Sequence, residues 1–273
     1  MRNRLNEFWQ AAIRLRAPGG SPAIAEPRRL SYPSEPPLVY AIGDVHGRLD
    51  LLLRLEETIL RDRAKRSEPA LLVMLGDLVD RGPASAQVID HVLSPAPSGI
   101  ERICLRGNHE AMMQEFIADP RPNAMWLGQG GRETLLSYGV PPAALDRPTR
   151  RDLASLVHAY IPADHIEFLH SMPVLLQTPG HVYVHAGIDA SMSIDDQPTD
   201  ILLWYRDNFV ETYAELGKCV VHGHSVTPRP LVTAFRIAID TGACETGTLS
   251  AVAITPAGAP RILDAVEVGF GMR

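Results

Sequence analysis

The sequence predicts an α/β protein built on a largely parallel sheet, with a second, more antiparallel sheet beside it. Three observations predict this. Between residues 38 and 105, short continuous apolar runs alternate with helical patterns, as parallel strands buried on both faces do. The first three runs stop at Gly43, Gly76 and Gly107, spaced by 33 and 31 residues, about one strand-helix-strand unit each. The end of the chain then turns to strands: HVYVH, CVVHGH, FRIAIDTG and TLSAVAI.

Taken in order, residues 38–42 (LVYAI) read as a buried strand, and 49–64 as an amphipathic helix on Leu49, Leu52, Leu53, Leu55, Ile59 and Leu60. Residues 70–75 (ALLVML) read as a second strand, 84–93 as a helix and 102–105 (RICL) as a third strand. An irregular middle, about 111–170, holds helical patterns and the turn-rich WLGQGGRETLLSYG. DTGACETGT, between the last two strands, reads as a hairpin connection.

The 273 residues, 45% hydrophobic and 21% charged, suffice for one large domain or two small ones. A net charge of -6 excludes the whole surface as an electrostatic partner of nucleic acid or anionic membrane. Cys104, Cys219 and Cys244 lack zinc-site spacing, and their odd number argues against a disulfide framework. No run approaches the ~20 apolar residues that span a bilayer, and no apolar leader precedes a cleavage site, so a reducing cytoplasm is expected. Residues 1–35 stand apart: MRNRLNEFWQAAIRLR has the pattern of a basic amphipathic helix, and a Pro- and Gly-rich linker follows. The helix, residues 1–16, suits its own core, a membrane surface or a partner. The folded domain is expected to begin near Leu38.

Chemistry gathers where the strands stop. LVYAI runs into Asp44 and His46, two residues apart and so on one face of an extended segment. LLVML stops at Asp77, with Asp80 and Arg81 close behind, and RICLR stops at Asn108, His109 and Glu110. HVYV stops at His185, and CVV at His222 and His224. In open α/β sheets, sites form beyond the carboxyl ends of strands, so five clusters are expected to converge on one sheet edge. Carboxylate, amide oxygen and imidazole without thiolate suit manganese, iron or zinc; calcium would ask for more oxygens. Two ions ~3.5–4 Å apart need one shared ligand, for which Asp77 is the natural candidate, and a water between them ionises near neutral pH. Arg81 and Arg106 offer planar forks for phosphate oxygens. Together these point to hydrolysis of a phosphate ester.

The series GDVHGR, GDLVDRG, LRGNHE, VHAG and HGHS resembles the metallophosphoesterase superfamily, closest to the phosphoprotein phosphatase branch with its bacterial and phage-type serine/threonine phosphatases. The resemblance covers residues 38 to about 251 and implies a four-layer α/β sandwich of two mixed sheets flanked by helices, with residues 36–273 as the catalytic domain. It implies one metal on Asp44, His46 and Asp77 and a second on Asp77, Asn108, His185 and His224, manganese first and iron or zinc as alternatives. It also implies His109 as general acid oriented by Asp80, and a phosphate held by Arg81, Arg106, Asn108 and, in LLWYRDNF, Arg206.

Each assignment has a plainer reading beside it. The strand-end polar residues would otherwise be turn caps, Arg206 an exposed helix arginine, and Asp80 a partner of Arg81. His222 is read as supporting the site from outside the ligand set. His91, His158, His165, His170 and His181 read as surface or packing residues, and Trp126 with GGRETLLSYG as a turn into a structural helix. The expected substrate is a phosphoprotein or a phosphorylated small molecule, with no nucleic acid required. A dinucleoside polyphosphate hydrolase or RNA-cap pyrophosphatase fits the same motifs, because substrate choice lies in the irregular segments 111–170 and 189–218. A non-catalytic phospho-binding scaffold is the reading from another class, and the complete ligand set argues against it.

Overall fold

The structure, a computed structural model, describes residues 27–206 and 210–267. Its strands are β1 (Arg29–Ser31), β2 (Val39–Ile42), β3 (Ala70–Met74), β4 (Ile100–Cys104), β5 (Leu175–Gln177) and β6 (His181–Val184). They continue with β7 (Cys219–His222), β8 (Leu231–Val232), β9 (Arg236–Ala238), β10 (Thr248–Ile254) and β11 (Arg261–Val266). The helices are α1 (Leu49–Arg63), α2 (Ser85–Leu93), α3 (Asn108–Ala118), α4 (Arg132–Ser137) and α5 (Arg150–Tyr160). After them come α6 (Ala163–Ser171), α7 (Thr199–Trp204) and α8 (Ala243–Thr246).

Both sheets are mixed. One runs β11-β10-β2-β3-β4, with β2, β3 and β4 parallel and β10 antiparallel to β2. The other runs β1-β5-β6-β7-β9-β8, with β6, β7 and β9 parallel. Alternation along each strand sets the layers. Val39, Ala41, Leu71 and Val73 of the first sheet meet Leu176, Tyr183, Val221 and Ile237 of the second in one apolar interior. The alternate residues Tyr40, Ile42, Leu72 and Met74 pack with Leu51, Leu52, Leu55 and Ile59 of α1. On the far side, Leu175, Val182, Val184 and Val220 lie under Leu202 and Leu203 of α7. The result is the four-layer sandwich of two mixed sheets flanked by helices.

Several boundaries differ from the sequence reading. In α1 the buried stripe is Leu51, Leu52, Leu55 and Ile59, while Leu53 and Leu60 are exposed. β1 lies inside the stretch read as a linker and pairs in parallel with β5, so the folded unit starts before Leu38. An edge strand with one apolar residue, Leu30, carries no hydrophobic run to announce it. DTGACETGT is not a hairpin: β9 and β10 belong to different sheets, and the connection crosses between them through the single turn of α8. The proposed helix at residues 1–16 lies outside the described residues. Among those described, no helix is long and apolar enough to cross a membrane.

Leu176, wholly buried between the sheets, and Leu53, 43% exposed on α1, should respond in opposite ways to truncation. Urea unfolding is expected to show Leu176→Ala less stable by about 2–5 kcal/mol. Leu53→Ala should change stability by less than about 0.5 kcal/mol.

Candidate metal centre

The carboxyl ends of five strands, from two sheets and not from one edge, deliver the site: β2, β3 and β4 on one side, β6 and β7 on the other. Each delivers its side chain through a tight backbone turn. Among the described residues, the non-glycine residues with positive φ are His46 (46°), Asp77 (50°), Asp80 (74°), Arg81 (65°) and His224 (60°). All five are candidate site residues. Such conformations cost of order 1–3 kcal/mol each and persist where the surroundings over-determine them.

At the N-terminus of α3, Glu110 supplies much of that constraint. Its fully buried carboxylate accepts from the backbone N–H of Gly107 (2.8 Å) and Asp77 (2.9 Å) through Oε2, and of Leu78 (2.7 Å) and Val79 (3.2 Å) through Oε1. It therefore clamps the turn after β3 to the turn after β4. A carboxylate in the first turn of a helix is also favoured by the helix dipole. Burial first, and then the charge of Asp77, push the Glu110 carboxyl upward, against the pull of the Gly107 N–H. Asp77 is tied on its other sides too. Its carbonyl accepts from the N–H of Val45 (3.1 Å) and His46 (2.8 Å), and its Oδ1 from the N–H of His109 (3.0 Å).

Asp77 Oδ2 is left facing three imidazoles, His185 Nε2 at 3.4 Å, His46 Nε2 at 3.6 Å and His109 Nε2 at 3.9 Å. Two overlapping sets of donor atoms form, each within 4.8 Å: Asp77 with His46 and His109, and Asp77 with His185 and His224. Asp44 belongs to neither set, but it lines one pocket with His46, Asp77 and Asn108. Both its oxygens accept from the His224 N–H at 3.1 Å, and a Cβ on Gly223 would stand 2.0 Å from Oδ1, so only glycine lets the turns close this far. Asn108 Oδ1 lies 2.8 Å from His185 Nε2.

The donor set fits a pair of metal ions. His46 Nδ1 is 2.8 Å from the Val79 carbonyl and His185 Nδ1 is 2.9 Å from that of Leu75, so in each ring Nδ1–H donates outward and Nε2 turns inward. Inward-facing Nε2 atoms, Asn108 Oδ1 and buried carboxylates then converge. Buried charge of one sign is paired or coordinates a cation. Burial and then Asp240 hold the Asp44 carboxyl well above its usual range. His185 is raised to about 10, because Asp77 and its neighbouring carboxylates outweigh burial. His46 falls to about 3, mainly through burial, which keeps its ring a free base.

Around this centre lies a pocket of about 350 Å³, partly open to solvent, which Arg81, His109, Gln129, Trp204 and Arg206 help to line. Arg81 Nη2 lies 3.2 Å from His109 Nε2, and Arg206 Nε donates to His224 Nε2 at 3.1 Å. Arg106 is not brought in. Its guanidinium turns to the end of α6 and donates to the carbonyls of His170 (3.2 Å) and Leu169 (3.5 Å), where a cation satisfies the last turn of a helix. His222 faces away as well: Arg236 Nε donates to its Nε2 at 2.8 Å, and burial followed by that arginine's charge lowers it to about 4.

Asp80, fully buried, accepts from His109 Nδ1 (2.6 Å), from Trp126 Nε1 (2.8 Å to Oδ2) and from Thr134 Oγ1 (2.6 Å). The segment read as a turn into a structural helix is therefore a wall of the site. Sequence reasoning also passed over Glu110, though its place three residues beyond the Gly107 cap was a visible signal, and over Asp240, which follows β9 as Asp44 follows β2.

Two mixed sheets that gather carboxylates, an amide and imidazoles at their strand ends define a metallophosphoesterase. The chain belongs to the calcineurin-like phosphoesterase family, whose pattern matches residues 37–237. It is 27% identical over 218 residues to the serine/threonine-protein phosphatase 1 of Salmonella typhimurium, covering 78% of this chain and 89% of that one. It is 26% identical over 221 residues to the asymmetrical bis(5'-nucleosyl)-tetraphosphatase PrpE of Bacillus velezensis, covering 74% and 82%. In fold it is similar to a cold-active protein-tyrosine phosphatase of a psychrophilic Shewanella, with a TM-score of 0.57 at 20% identity over 89% and 85% of the two chains.

Glu110→Ala would strip the acceptor from four buried backbone N–H groups. Urea denaturation should show a stability loss of about 3 kcal/mol or more; a loss under about 1 kcal/mol would contradict its role as the clamp.

Proposed function

We propose that the chain is a dinuclear metal-dependent phosphatase that hydrolyses phosphomonoesters, with phosphoserine and phosphothreonine of proteins as substrates. The observation that carries this is Asp77, common to both sets of donor atoms, in a pocket that His109 and two arginines also line. A shared carboxylate is what two adjacent cations need. The serine/threonine-protein phosphatase relative, aligned over most of both chains, supports the protein substrate.

The ligands are Asp44, His46 and Asp77 on one side and Asp77, Asn108, His185 and His224 on the other, with manganese first and iron or zinc as alternatives. When bound, two such ions neutralise phosphate charge and acidify a water held between them. The rest falls to the chain. Arg81 and Arg206 turn their guanidinium forks from the neighbouring imidazoles to the phosphate oxygens, supplying charge where it develops. His109 carries a proton on Nε2, facing the pocket, and hands it to the departing alkoxide. Burial opposes that proton, but Asp77 and the Asp80 hydrogen bond outweigh burial and raise the His109 pKa. A base held this way suits general acid catalysis near neutral pH.

The tetraphosphatase relative favours a second reading in which the bond cleaved is a P–O–P anhydride. Side-by-side turnover of a phosphopeptide and of diadenosine tetraphosphate decides between them, the proposal requiring the phosphopeptide to be the better substrate. Chelation should abolish activity, and manganese restore it. Asp77→Asn should lose both metals by elemental analysis. His109→Ala should keep them while turnover of the ester falls roughly 10²–10⁴-fold. Metal loss in His109→Ala would contradict the division of roles.

A further inference from the structure

We infer that Trp126 and Thr134 are positioning residues for the proton transfer: they hold the Asp80 carboxylate so that it can fix the His109 ring. The inference rests on the general-acid reading of His109. Asp80, fully buried, presents its two oxygens to three donors. His109 Nδ1 and Trp126 Nε1 meet Oδ2 at 2.6 and 2.8 Å, and Thr134 Oγ1 meets Oδ1 at 2.6 Å, with the indole N–H also 3.0 Å from Oδ1. Thr134 has one hydroxyl proton. The shorter contact to a carboxylate takes it, in preference to Ser85 Oγ at 3.2 Å. The Thr134 oxygen then accepts the Asp80 backbone N–H at 2.9 Å, so one hydroxyl clamps both the side chain and the strained backbone of Asp80.

Two adjacent glycines bring these donors into place. At Gly131 a Cβ would stand 2.3 Å from the indole of Trp126, and at Gly130 it would stand 2.4 Å from the Arg81 nitrogen. Segment 126–134 can therefore lie directly on the Asp80–Arg81 turn, with Trp126 buried to 2% exposure. Trp126 packs on Phe116 of α3, at 4.7 Å between ring centroids, and α3 carries His109. The indole thus references both members of the pair to one rigid body. A carboxylate with its other lone pairs occupied cannot rotate away from the imidazole. A misplacement of the acid by 1 Å can slow a reaction by 10²-fold.

The test is a leaving-group comparison in the metal-loaded, full-length chain. Trp126→Phe and Thr134→Val, which remove one donor each at nearly constant volume, should lower kcat for phenyl phosphate roughly tenfold or more, with KM changed less than about twofold. p-Nitrophenyl phosphate, whose leaving group needs no proton, should be hydrolysed nearly as fast as before. Thr134→Ser keeps the hydroxyl and should restore the rate, and it carries the test alone should the indole replacement not fold. Placed on His109→Asn, neither substitution should slow turnover further. The downfield proton signal of His109 Nδ1–H should move upfield in both variants. Equal losses for both esters, or the same factor again on His109→Asn, would overturn the inference while leaving His109 as the acid. If His109→Asn itself slows both esters equally, the general-acid reading fails, and the inference fails with it.

Discussion

A single buried carboxylate, that of Glu110, decides the shape of the site. Four backbone N–H groups from two turns end on it, and those turns carry Asp77 from one strand and Asn108 and His109 from the next. The turns could relax if their N–H groups found water, but burial removes that choice. Glu110 therefore turns two separate loop ends into one rigid floor. Asp77 extends the floor to a third turn by accepting the N–H groups of Val45 and His46.

The strain this imposes and the charge it gathers have a common explanation. Among the described residues, five non-glycine residues are held at positive φ, and each is a candidate site residue. The same turns press Asp44, Asp77, Asp80, Glu110 and Asp240 into the interior, each no more than 3% exposed. A fold selected only for stability would avoid both, since each unpaired buried carboxylate is expensive. Outward-facing Nδ1–H groups leave the inward Nε2 atoms free to act as ligands.

Legibility in the sequence followed locality. The convergence of Asp44, His46, Asp77, Asn108, His185 and His224 was legible because each stands within four residues of the end of an apolar run, and a strand end in an α/β sheet points at the site. Contacts set by distant elements were not legible. Arg106 looked like a phosphate fork until α6 placed its last carbonyls in reach, 63 residues on. Trp126 looked like a turn residue, and the carboxylate its indole N–H meets, that of Asp80, is 46 residues away. Edge strands such as β1 and β8 need little apolar surface, so no run marks them. The crossing at DTGACETGT imitates a hairpin because a Gly-rich turn looks alike whichever sheet receives the next strand.

Membership of the calcineurin-like phosphoesterases follows from the match over residues 37–237, while Gln129, Trp204 and Arg206 line the pocket around the site. The central claim is that Asp77 sits between two cations. Anomalous scattering from crystals soaked in manganese tests it most directly. Two peaks ~3.5–4 Å apart, both within ligand distance of the Asp77 carboxylate, are the predicted result. A single peak, or two that leave Asp77 without a metal contact, would contradict it.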